Sequence, residues 1–323
     1  MSALLSWWAG RCAGSKSLRF VDLNLRGIGQ VMFQDNPLSG LLFLVAIGWG
    51  SFEAGMPQVA IGGLLAVVAG TLTAQWLRVD AAGLAAGLYG YNPYLVGLAF
   101  GTFLAVSPAW WVYVVLGAAV SVPVTLGIAN VFKNWGVAAL TAPFVLTAWL
   151  FLLATYAFSA VEGSALPMAA EIVPIDPAAA NPLAPGDFVQ GVVRSIGQVF
   201  LKASLPAALL LLAGLAVNSL AAAAFAVGGA IVAVATAHLL GAESDLITGG
   251  LMGFSPVLTA IALGAVFYKP GMRVAIYALL GTVFTVVVQG ALNVFVAPFG
   301  IPTLTAPFVL ASWFFLLPRQ HFE

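Results

Sequence analysis

Apolar residues run along this chain in long blocks separated by short polar breaks, and the blocks set its predicted elements. Blocks near 38–53, 57–77, 83–106, 109–130 and 137–158 predict five spans, each close to the roughly 20 residues that carry a helix across a bilayer. Blocks near 205–220, 222–240, 246–268, 271–291 and 302–318 predict five more. Two segments differ. In 17–33 (SLRFVDLNLRGIGQVMF), Leu18, Val21, Leu25, Ile28 and Met32 recur at helical spacing, while Arg19, Asp22 and Arg26 stay polar. This stretch is too short and polar to cross alone. It predicts a re-entrant half-helix, ended by the Asn36–Pro37 pair. Residues 188–203 predict a second.

The same words occur twice. LTAPFVL at Leu140–Leu146 returns letter for letter at Leu304–Leu310. RGIGQVMF (Arg26–Phe33) answers RSIGQVFL (Arg194–Leu201), and GLYGYNPYLVGLAFG (Gly87–Gly101) answers GLMGFSPVLTAIALG (Gly250–Gly264). The order is the same and the spacing nearly constant, so the chain is two versions of one unit. The boundaries follow: a loose tail at 1–16, a first repeat at 17–158, a linker at 159–187, a second repeat at 188–318 and a tail at 319–323. Five spans is an odd number, so the second repeat enters from the opposite face. The predicted fold is an all-α polytopic membrane protein, with ten transmembrane helices and two re-entrant half-helices in two inverted repeats. Transporters built this way bind solute near mid-membrane, where the repeats meet.

Composition agrees. The chain is 62% hydrophobic and 7% charged, where a soluble domain carries about 25% charge. With the N-terminus in the cytoplasm, nine of the eleven basic residues fall inside, and Glu53, Glu243, Asp245 and the acidic linker fall outside. That placement satisfies the preference of Lys and Arg for cytoplasmic loops, and it puts both termini inside. The net charge of zero offers no surface for nucleic acid. One cysteine and two histidines are too few for a disulfide or a metal site. No cleaved signal is read at the N-terminus. Trp7, Trp8, Trp110 and Trp111 are expected at the membrane interface.

Proline within LTAPFVL removes a backbone donor. At membrane depth, freed carbonyls persist only beside protein or a water-filled cavity. Unpaired carbonyls, with the Thr141 and Thr305 hydroxyls, would make a ladder of acceptors for a solute rich in N–H groups. A lone copy would read as a simple kink; the duplication at a repeat interface favours the ladder. Gln30 and Gln198 hold equivalent places, and a neutral amide can both donate and accept. Their bland reading is packing. Tyr91 and Phe254 are equivalent aromatics, and Phe33 matches Leu201; such faces could sandwich a flat solute or could simply pack. The near absence of ionisable residues within the spans argues against ion coupling and for passive movement of a neutral solute.

The paired LTAPF boxes, GLYGYNP with GLMGFSP, and GQVMFQDNPLSG after an amphipathic lead resemble the urea transporter family over residues 17–318. The resemblance implies a channel-like facilitator of passive urea flow in the cell (inner) membrane, trimeric, with one pore per subunit and no cofactor. It implies a slot at each end, lined by Val31, Phe33, Tyr91 and Leu95 in one half and Val199, Leu201, Phe254 and Leu258 in the other. Gln30 and Gln198 would touch solute. Thr141 and Thr305, with Val145 and Val309 of the same boxes, would flank a central constriction. The chain departs from the family at Tyr91, where phenylalanine is commoner, and at Gln198, where some bacterial relatives carry glutamate. It also departs after the second half-helix, which reads KASLPAA in place of NPLSG. A channel for ammonia or other small amides is the nearest alternative, although ammonia channels favour a pore-lining histidine pair that is missing here. An ion-coupled secondary transporter comes next. A membrane enzyme has no credible nucleophile, base or metal cluster.

Overall fold

The computed structural model describes residues 2–180 and 182–319. Among them the chain is helical, with no strand beyond an isolated bridge between Leu104 and Gly163. In the first half the helices are α1 (Ser2–Ala13), α2 (Lys16–Gln30), α3 (Pro37–Glu53), α4 (Pro57–Trp76), α5 (Ala81–Ala85), α6 (Tyr91–Phe103), α7 (Pro108–Phe132) and α8 (Ala142–Ala154). In the second they are α9 (Pro185–Gly197), α10 (Leu205–Asn218), α11 (Leu220–Leu239), α12 (Ser244–Thr248), α13 (Phe254–Ile261), α14 (Met272–Val296) and α15 (Ala306–Leu316). Element for element, α2–α8 and α9–α15 correspond. Among the described residues, four helices are long and apolar enough to cross a bilayer: α4, α7, α11 and α14, the second and fourth extended by a short 3-10 turn. Large apolar side chains such as Trp76, Leu150, Leu220 and Leu239 stand exposed. Apolar exposure on this scale suits lipid and not water.

The expected spans at 83–106, 137–158, 246–268 and 302–318 are not continuous helices. Left-handed residues break each of them: Gly87 at φ 78°, Leu140 at 53°, Gly250 at 77° and Leu304 at 51°. Such a residue cannot continue the helical hydrogen-bond ladder. The box prolines explain the rest. Pro143 and Pro307 lie in the first turns of α8 and α15, where the missing N–H would be unpaired in any case. The proline therefore starts a helix; it does not lie inside a continuous span, as the sequence suggested.

Two further expectations are revised. The N-terminal segment, read as a loose tail, forms α1, and the Trp8 indole N–H donates to Asp22 Oδ1 at 2.7 Å. Trp110, read as an interfacial tryptophan, is fully buried, and its N–H donates to the Phe100 carbonyl at 3.0 Å. Trp7 and Trp111 are exposed. The linker is mostly exposed and ends where α9 begins at Pro185, and it is pinned through Ser164 N–H to Phe103 O and Ala170 N–H to Ala297 O.

The helices α2 and α9 are placed by their amphipathic faces. Leu23, Gly27, Ile28 and Gly29 of α2 are buried, as are Gly191, Ile196 and Gly197 of α9. Each docks its backbone against the glycine turn of its own half. A Cβ on Gly87 would lie 2.5 Å from the Gly27 nitrogen, and one on Gly250 would lie 2.5 Å from the Arg194 carbonyl carbon. Only glycine fits there, because its left-handed φ and its missing side chain are both required.

Candidate functional site

The repeats meet at the two boxes. Thr141 and Thr305 precede α8 and α15, each 3% exposed, and their hydroxyls share a hydrogen bond of 2.7 Å. Around this bond the contacts are reciprocal. The Trp149 indole N–H donates to Pro302 O at 2.8 Å, and Trp313, its equivalent, donates to Ala138 O at 3.0 Å. Pro302 and Ala138 are themselves equivalent positions. A residue bonded to its own counterpart, flanked by swapped pairs, is the contact pattern of an isologous interface, here made within one chain.

The slot residues form one body. Val31, Leu95, Val145, Val199, Phe254, Leu258 and Val309 belong to a single buried apolar cluster, with Phe33, Tyr91 and Leu201 packed against it. Phe33 lies edge-on to Phe267 and Phe308, with centroids at 5.8 and 6.1 Å. A side chain just after α2 thus packs on the second box. Phe33 and Leu201 are both left-handed, at φ 62° and 59°, and so are Leu140 and Leu304. Four of the five described non-glycine residues with positive φ therefore lie at this site, in two equivalent pairs. Each such conformation costs about 1–2 kcal/mol, and strain of this kind concentrates at functional positions.

Gln30 and Gln198 are held identically. Each amide nitrogen donates to the carbonyl just before the glycine turn, Ala86 O at 2.8 Å and Gly249 O at 3.0 Å. No described residue donates to either amide oxygen, so each oxygen remains an acceptor. Gln198, Leu201 and Phe254 join Leu251, Thr303 and Leu304 in the lining of a cavity of about 320 Å³. The acceptor ladder differs from expectation. Leu140 O already accepts from Tyr91 Oη at 2.8 Å and Asn92 Nδ2 at 3.3 Å, and one of the two threonine hydroxyls donates to the other.

The urea transporter family model matches residues 21–320. The chain belongs to the urea transporter family. Among curated relatives, urea transporter 1 of Ovis aries is 29% identical over 305 residues, covering 94% of this chain and 78% of that one. Urea transporter 1 of Capra hircus gives the same figures, and that of Rattus norvegicus is 29% identical over 303 residues, covering 93% and 77%. The chain is therefore an integral membrane transport protein and not an enzyme.

Within this family fold, sequence reasoning missed the residues that brace the boxes. Asn92 Oδ1 accepts the Phe144 N–H at 3.1 Å, and Trp149 and Trp313 clamp each box to the opposite half. The two tryptophans carried a signal, since they recur in register after each box. Asn92 carried none, because its counterpart is Ser255.

Proposed function

We propose that the chain conducts urea passively through a pore at the interface of two inverted repeats. The observation that carries this reading is the Thr141–Thr305 bond within the reciprocal Trp149 and Trp313 pairs. The helices α8 and α15 start from that point. At 1.5 Å per residue their 13 and 11 residues run about 20 and 17 Å, little more than half of a hydrocarbon core about 30 Å thick. Two short helices that begin together at mid-membrane and diverge to opposite faces are what an inverted repeat requires. Pairing the broken segments in each half yields ten spans with α2 and α9 as re-entrant half-helices. The charge distribution favours cytoplasmic termini in the inner membrane, and family resemblance favours a homotrimer in the lipid bilayer.

Urea is flat and neutral, with four N–H donors and one carbonyl. Removing its water without replacement costs several kcal/mol, roughly 2–7 per amide-like group. Val31, Phe33, Tyr91 and Leu95 at one end, and Val199, Leu201, Phe254 and Leu258 at the other, offer apolar walls that fix its plane. The free amide oxygens of Gln30 and Gln198 accept its N–H groups at each mouth. At the centre, beside Val145 and Val309, the threonine hydroxyls exchange their mutual bond for bonds to the solute. Ions find no group there to replace their hydration. Transit needs binding weak enough to release, and neutral hydrogen bonds supply that.

Purified protein in proteoliposomes tests this. Urea uptake is expected to follow its own gradient, independent of sodium and proton gradients. Thr141→Val and Thr305→Val are each expected to slow flux about tenfold, the equivalent of one lost hydrogen bond of about 1.4 kcal/mol. Uphill accumulation driven by either ion, or wild-type flux in both well-folded variants, overturns the reading. Parallel shrinkage assays with acetamide, glycerol and ammonia separate urea from its analogues.

A further inference from the structure

We propose that the cavity beside the second half-helix binds a small, singly charged anion, with the Lys202 ammonium as its fixed counter-charge. This cavity has a volume of about 690 Å³ and is lined by Lys202, Arg194, Gln198, Ser204, Glu53 and Gly50, among others. It touches the candidate pore only at Gln198 and Leu201. Lys202 is 4% exposed. Its ammonium makes no hydrogen bond to any described residue, and no described carboxylate oxygen comes within 4.0 Å of it. Glu53, the carboxylate in the lining, is exposed and accepts the Ser204 hydroxyl instead. Arg194 is tied to Thr248 O at 3.3 Å.

The repeat shows what this position looks like when it is satisfied. The counterpart of Lys202 is Gln34, which is neutral and buried. Its amide nitrogen donates to Met32 O at 2.6 Å, and its oxygen accepts from Asn218 Nδ2 at 3.0 Å. The counterpart of Asn218 is Gly50, which has no side chain to answer Lys202. The lysine stem lies instead across Gly50, with Cδ 3.2 Å from where a Cβ would stand. One half therefore closes this corner with a paired amide. The other leaves an unanswered cation facing open space. A buried charge without a partner is strongly disfavoured, and in a membrane protein it marks a site whose partner is to be named. An ammonium is a compact point charge with three donors, suited to a halide or a one- or two-carbon carboxylate. A water molecule takes about 30 Å³, so the cavity holds such an ion with its hydration.

The test uses the purified full chain in a neutral detergent. Sodium chloride, compared with sodium gluconate at equal ionic strength, is expected to raise the unfolding temperature of the wild type. Lys202→Gln, which copies the residue of the first half, is expected to lose that shift. Wild-type crystals soaked in sodium bromide are expected to show an anomalous peak in this cavity, whether or not the variant folds. An equal chloride shift in both proteins, or a cavity without bromide, overturns the proposal. So does stabilisation by phosphatidylglycerol alone, which would assign the charge to a lipid headgroup.

Discussion

The two boxes have one backbone and two sets of braces. In the first half, Asn92 joins Leu140 O, the Phe144 N–H and Thr125 Oγ1 at 3.3, 3.1 and 3.5 Å, and the Tyr91 hydroxyl adds a second donor to Leu140 O. In the second half, Phe254 has no hydroxyl, and Ser255 Oγ is buried without a partner. There Gln289 takes the place of Thr125 and donates to Thr303 Oγ1 and Asn293 Oδ1, both at 2.9 Å. Among the described residues no donor reaches Leu304 O. Yet φ at Leu140 and Leu304 agrees within 2° (53° and 51°), and at Thr141 and Thr305 it is −92° in both. The backbone is fixed by glycine turns, prolines and the reciprocal contacts between the boxes. The polar braces around it were free to diverge.

That difference sorts the expected effects of substitution. Where the halves agree, equivalent changes are expected to hurt equally, and the glycine turns give the largest effect. Gly87→Ala and Gly250→Ala each push a methyl against backbone at 2.5 Å in a left-handed conformation. Backbone has no rotamer by which to yield, so each is expected to cost about 2–4 kcal/mol, read as a fall in unfolding temperature in detergent. Markedly unequal losses would break the equivalence of the halves.

Where the halves differ, equivalent changes are expected to part company. Asn92→Ala removes a buried side chain with three hydrogen bonds and leaves Phe144 N–H unpaired. It is expected to cost about 2–3 kcal/mol. Ser255→Ala removes a buried hydroxyl that bonds to nothing, and is expected to be neutral or slightly stabilising. Thermal melts of the two variants beside wild type decide this. Equal destabilisation would mean that Ser255 has a partner.

The same contrast explains how much was legible in the sequence. Helix content, the duplication and the helical character of α2 and α9 could be read, because apolar periodicity and repeated words carry them directly. The position of the breaks could not. Leu140 and Leu304 look like ordinary members of an apolar run, and nothing in a leucine announces a positive φ. The prolines were visible, but their role depended on that break: mid-span they would kink a helix, and after Leu140 they start one. The candidate site residues from Gln30 to Val309 were proposed because they lie in recurring words or because the family resemblance implies them. Asn92 and Lys202 were missed because their counterparts, Ser255 and Gln34, are different chemistry. Reading by symmetry finds what the halves share and passes over what distinguishes them.

The smallest expected effect tests that distinction at the proposed pore. Tyr91 spends its hydroxyl on Leu140 O, so one acceptor of the ladder is occupied by protein. Phe254 leaves the equivalent carbonyl of Leu304 open. Tyr91→Phe frees a lone pair on Leu140 O while Asn92 still holds the other. It is expected to cost about 1 kcal/mol of stability and to raise urea flux by up to about threefold. Phe254→Tyr does the converse, giving Leu304 O a protein donor in competition with solute, and is expected to lower flux by a similar factor. Stopped-flow urea permeability at matched protein density reads both. Opposite signs mean that the carbonyls act on the solute. The same sign in both variants would mean that ring size alone sets the rate, and the ladder would then be reduced to the threonine pair.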